Sequence, residues 1–135
     1  MAKIRHIAIF TDDPDKLAKF YIDVFGMTKT HETEPSAESG RSVWITDGYI
    51  DVAIIHPASE KSPRGVNHFG FTLESSEKAG IYQRLTDYGR APYLPPSDRP
   101  YIEDAARDLD GNKFDLSTTG LRNEPGQAKK EKVEA

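Results

Sequence analysis

Apolar residues follow two rhythms along this chain. Residues 4–10 (IRHIAIF) form a short run rich in β-branched and aromatic side chains, which predicts a buried strand. Asp12-Asp13-Pro14 comes next; Asp13 can cap a helix and Pro14 suits its first turn, where a missing N–H costs nothing. Leu17, Phe20, Tyr21, Val24 and Phe25 then recur at i, i+3, i+4, i+7 and i+8, an apolar helical stripe, and Gly26 stands where a left-handed C-terminal residue is wanted. Three strand-like runs follow at 27–33, 42–46 and 50–56. Asp47-Gly48 marks a tight hairpin between the last two. Residues 57–65 (PASEKSPRG) read as a linker.

The same plan then returns. Residues 67–73 (NHFGFTL) predict a strand. Ser75 or Ser76 can cap a helix carrying Ile81, Leu85 and Tyr88 that ends at Gly89. Strand-like runs follow at 91–94, 102–107 and 113–118, with Asp110-Gly111 at the last hairpin. His6 and His68 lie 62 residues apart, whereas Gly26 and Gly89, and the two Asp-Gly pairs, lie 63 apart. The expectation is an α+β fold of two duplicated βαβββ modules, 1–60 and 61–120, forming a curved mixed sheet around a cup. Residues 121–135 lack apolar periodicity and predict a disordered tail.

Composition narrows the chemistry. None of the 135 residues is cysteine, so any metal must be held by histidine and carboxylate. The net charge of -4 offers no basic patch for nucleic acid, and no apolar run has the length of a membrane span. The opening residues lack the apolar core of a signal peptide, so a cytoplasmic protein acting on a small molecule is expected.

Strand alternation gives the candidate site. In 67–73, Phe69, Phe71 and Leu73 share the core face, while His68, Gly70 and Thr72 share a small, polar one. In 113–118, Phe114 and Leu116 face the core, and Lys113, Asp115 and Ser117 face away. His6 shares its face with Ile4, Ala8 and Phe10, and the repeat makes it equivalent to His68. A related pair of histidines with one carboxylate, over a cup, suits a divalent ion (Fe2+, Mn2+, Ni2+, Co2+ or Zn2+) with positions left open for substrate. A single strand histidine is more often structural; the repeat-related placement of all three groups is what favours a metal.

The stretches IRHIAIFTDD and FYIDVFG, then NHFGFTLE and RDLDGNKFDLS, resemble the vicinal-oxygen-chelate superfamily over residues 4–118. That superfamily includes glyoxalases, bleomycin and fosfomycin resistance proteins, methylmalonyl-CoA epimerases and extradiol dioxygenases. The resemblance places His6, His68 and Asp115 at ligand positions of strands one, five and eight, with Asp115 where glutamate is more common. Glyoxalase-like members add a strand-four ligand. Ile50-Asp51-Val52 mirrors Phe114-Asp115-Leu116 and offers Asp51, whereas counting from the Asp-Gly turns pairs Asp115 with Val52, and one residue of register flips the face. His56 sits at a strand end within reach of the rim, and His31 is expected to be exposed. Extradiol members carry a tyrosine ten residues before the last ligand; here that residue is Ala105, with Tyr101 further back.

Three functions follow from the resemblance. The first is a metal-dependent lyase, isomerase or epimerase in which Asp51 or Asp115 shuttles a proton. The second is an Fe(II) ring-cleaving dioxygenase, and the third a metal-free drug-binding protein. Phe10, Trp44, Thr72 and Tyr93 are further cup-lining candidates. Trp44 and an exposed sheet edge favour a homodimer.

Overall fold

A computed structural model describes residues 1–37, 39–98 and 102–118. The elements run β1 (Lys3–Phe10), α1 (Pro14–Phe25), β2 (Thr28–Thr33), β3 (Ser42–Thr46), β4 (Asp51–Ile55), β5 (Gly65–Thr72), α2 (Ser75–Asp87), β6 (Asp104–Arg107) and β7 (Lys113–Ser117). Among the described residues the strands form one mixed sheet in the order β2-β3-β4-β1-β5-β7-β6. Each module begins with a strand that pairs in parallel with its own last strand, β1 with β4 and β5 with β7. The two halves join where β1 meets β5 antiparallel. A pseudo-twofold axis passes through the Ile7–Phe69 pair and exchanges His6 with His68 and Ala8 with Gly70.

The two helices sit differently. Asp13 accepts from the Lys16 N–H at 3.1 Å, Pro14 opens α1, and Gly26 closes it with a φ of 72°. Ala18 lies against Val43, Ile45 and Ile54, flanked by Leu17, Tyr21 and Ile22. The buried face is therefore centred on Ala18. The expected stripe is rotated: Phe20 and Val24 are 52% and 56% exposed and Phe25 also faces outward. A small residue at the centre lets the helix come close to the sheet, and Phe20, Val24 and Phe25 end on its outer flank. Helix α2 starts one residue earlier than its serines suggested, with Glu77 accepting from the Glu74 N–H at 3.1 Å. It has no buried residue and rests Ile81, Tyr82 and Leu85 against Leu73, Phe114 and Leu116.

One expected strand shrinks to a point. Residues 91–94 contribute a single bridge, Tyr93 to Ala105. Pro92, Pro95 and Pro96 surround it, and proline cannot donate to a strand ladder. The 121–135 tail and Tyr101 lie outside the described residues.

Candidate metal centre

Pairing across the sheet sets the cup face in rows. One row reads Thr46, Asp51, His6, Gly70, Asp115 and Ala105, with Tyr93 bridged beyond. In the next row Trp44, Ala53 and Ala8 lead to His68, and the strand registers continue it to Lys113 and Arg107. His6, His68 and Asp115 come together where the rows meet, their donor atoms all within 4.8 Å of one another. Asp115 Oδ2 is 3.1 Å from His68 Nε2 and 3.6 Å from His6 Nε2. The imidazoles meet edge to face, with centroids 5.7 Å apart.

Gly70 makes this convergence possible. It stands between His6 and Asp115 in the row, and the His6 ring lies directly over it. A Cβ built on Gly70 would overlap the ring atoms. Any other residue would push His6 off the carboxylate. Asn67 holds the other histidine, its Oδ1 lying 2.7 Å from His68 Nδ1, which leaves Nε2 directed at Asp115. Burial by itself raises the Asp115 pKa, but the imidazoles of His6 and His68 outweigh it and hold the carboxyl well below the usual aspartate range.

Asp51 does not join this group. It is 5% exposed, pairs with His6 across β1 and β4, and its Oδ2 has no hydrogen-bond partner. The His6 ring leans away from it, over Gly70. The pseudo-twofold relates Asp115 to Ala53, since Ala8 pairs with Ala53 as Gly70 pairs with Asp115. Neither Asp51 nor Val52 holds the related position. The turns explain the difference. Asp47 Oδ1 accepts from the N–H groups of Tyr49 and Ile50, whereas in the longer second hairpin Asp108 accepts from Asp110 and Asn112. Asp47 thus corresponds to Asp108 rather than Asp110, and aligning the two Asp-Gly pairs shifts the register.

The cup encloses about 560 Å³. Its first-module wall is apolar (Ala8, Trp44, Ala53, Ile55). The second-module wall is mixed, with Tyr93, Glu103, Arg107 and Lys113 beside the trio and Ile102, Ala105 and Ala106 among them. Trp44 is buried in the cup wall, its Nε1 donating to Ser42 Oγ at 3.0 Å. Phe10, Thr72 and His56 do not line the cup, and His31 is half-buried on β2 rather than exposed. Glu103 and Arg107 were not singled out from the sequence. Alternation back from Asp115 already put Lys113 on the cup face.

Residues 3–116 match the model of the Glyoxalase/Bleomycin resistance protein/Dioxygenase superfamily. The chain belongs to this superfamily. No curated protein matches it. Solved structures that share the superfamily's fold with it include a hypothetical protein from Bacillus halodurans, with TM-score 0.67 and 16% identity over 85% of this chain and 92% of that one. Methylmalonyl-CoA epimerase from Mycobacterium tuberculosis gives 0.64 and 17% over 84% and 85%. A methylmalonyl-CoA epimerase in complex with methylmalonyl-CoA and NH4+ gives 0.62 and 17% over 93% and 99%. No helix among the described residues is long and apolar enough to cross a membrane.

Superfamily members commonly bind divalent metals, and the donor set here fits one. Ligands about 2.0–2.2 Å from a shared ion lie roughly 3–3.5 Å from one another. The two His–Asp separations, 3.1 and 3.6 Å, are close to that spacing. The carboxylate kept ionised between two imidazoles supplies the charge such an ion needs.

Proposed function

We propose that the chain is a divalent-metal-dependent enzyme whose His6, His68 and Asp115 would hold the ion and whose cup takes a small oxygenated molecule. The observation that carries it is the convergence of three donor groups over Gly70, a residue whose lack of a side chain serves that convergence. A bound ion would act as a Lewis acid toward two neighbouring oxygens of the substrate. Trp44, Ile55 and the alanines of the first-module wall would exclude water and pack the carbon skeleton, while Asn67 keeps His68 aimed.

Two reaction classes suit such a site. An epimerase- or glyoxalase-like lyase or isomerase needs a carboxylate to move a proton at the carbon beside the chelating oxygens. Glu103 lines the cup and could take this part in place of Asp51. Ring cleavage by an Fe(II) dioxygenase needs no fourth protein ligand. Ala53, at the position related to Asp115, favours this second class because it leaves the whole first-module side open to substrate and O2.

Protein loaded separately with Fe2+, Mn2+, Co2+, Ni2+ and Zn2+, screened against catechols for O2 uptake and against hemithioacetals and 2-substituted acyl thioesters for turnover or solvent proton exchange, decides between them. O2 uptake with Fe2+ alone supports ring cleavage; proton exchange without O2 supports the lyase or isomerase. Tight binding of a small molecule without metal or turnover would replace both with the drug-binding reading.

A further inference from the structure

The cup contains an unresolved electrostatic conflict. Lys113 and Arg107 are cross-strand partners on β7 and β6 and both line the cup. Like charges placed directly opposite on neighbouring strands repel. Among the described residues neither forms an ion pair with a carboxylate, Glu103 and Asp115 included. Arg107 Nη1 donates to the Gly111 carbonyl at 2.8 Å, which leaves the rest of the guanidinium uncommitted. At the related positions in the first module stand Asp51 and Thr46, so the paired cations belong to the second wall alone. They lie in the same row as His68, and Lys113 is two residues before Asp115, about 6.6 Å along the strand.

We propose that Lys113 and Arg107 form an oxyanion subsite, so that the substrate carries a carboxylate or phosphate group beside its chelating oxygens. The proposal deepens the metal-enzyme reading and rests on it for the location of those oxygens. An oxyanion bridging the two side chains would relieve their repulsion and accept charge-assisted hydrogen bonds from both, with the planar guanidinium suited to two-point contact. The substrate class is then an anionic, oxygenated small molecule, with its apolar part against Trp44 and its charged end toward β6.

Calorimetry on Co2+-loaded protein compares catechol with 3,4-dihydroxybenzoate, and dihydroxyacetone with its phosphate; the two pairs separate carboxylate from phosphate. In wild type at least one anionic probe should bind about tenfold or more tighter than its neutral partner, and Lys113→Met with Arg107→Gln should reduce the preference to within about twofold. Equal binding of both pairs in wild type, or a preference that survives the double variant, overturns the proposal. Co2+ titration of the same variant should show binding no weaker than wild type, since neither residue is among the metal donors and both repel a cation. If wild type takes up no Co2+, the metal reading fails by itself, and the subsite is then read on metal-free protein by an NMR titration of benzoate against benzamide. There, a benzoate preference abolished by the double variant supports the subsite, and no preference refutes it.

Discussion

The two modules share a backbone plan and oppose one another in chemistry. Related positions hold Ala53 and Asp115, Asp51 and Lys113, Thr46 and Arg107, and Trp44 and Ala105. Within the two cup rows the histidine pair is kept in kind. The first module lines the cup with Ala8, Trp44, Ala53 and Ile55 and the second with Glu103, Arg107 and Lys113, so an ion held between them would be open on the first-module side. The helices differ in the same sense. α1 seals Ile45 and Ile54 completely, whereas α2 buries none of its own residues. The frame is thus symmetric and its side chains are not: the first module gives His6 and an apolar wall, and the second gives His68, Asp115 and the charged groups.

Removing the shared histidine pair should break this arrangement most completely. His68→Ala should release most of the metal, and adding His6→Ala should cost little more, because the donors would act on one ion. Metal titrations of the single and double variants check the non-additivity. Gly70→Ala tests the frame from beneath. The new methyl group displaces His6, so metal affinity should fall about 10–100-fold, while Ala8→Gly at the related position should leave metal affinity near wild type and cost roughly 0.5–1 kcal/mol in stability. Equal metal loss in both variants would mean that the rings do not depend on the asymmetry at these two positions.

Ala53→Asp would make the two walls alike by adding a carboxylate at the position related to Asp115. Metal affinity should rise by about tenfold and any O2-dependent turnover should fall, at a stability cost of about 1–3 kcal/mol, since Ala53 is 1% exposed. A smaller effect concerns pH. Asp115 has a lowered pKa in the folded state, so its contribution to stability is present above the free aspartate value of about 3.9 and is lost as pH falls through the folded-state value. Acid unfolding of metal-free protein should be less steep in Asp115→Asn. Smallest of all, Phe20→Ser on the outer flank of α1 should change stability by no more than about 0.5 kcal/mol, whereas Ile54→Ala beneath the helix should cost about 2–5 kcal/mol.

Much of this is legible in the sequence. Asp13, Pro14 and Gly26 bound α1 through local rules, and the 62-residue spacing of His6 and His68 survives because it spans whole modules. Face alternation from Phe114 and Leu116 was enough to turn Asp115 inward. The partner of Asp115 in the first module was not readable. It depends on hairpin length, and the second hairpin carries one more residue than the first, with Asp-Gly displaced within it. The outward turn of Phe20 and Val24 was hidden for another reason: periodicity finds a stripe but not its centre, and small Ala18 sets the centre. The loss of strand 91–94 follows from three prolines that a strand pattern alone does not weigh.

The most direct test of the central claim is Co2+ titration of wild type and His68→Ala, followed by visible absorption and thermal melting. One ion per chain, with a ligand-field spectrum and a rise in melting temperature that chelator reverses, is the expected result for wild type, and neither effect should appear in His68→Ala. Wild-type protein that shows no Co2+ spectrum, gains no stability from Fe2+, Mn2+, Co2+, Ni2+ or Zn2+, and melts as His68→Ala does would contradict the metal centre.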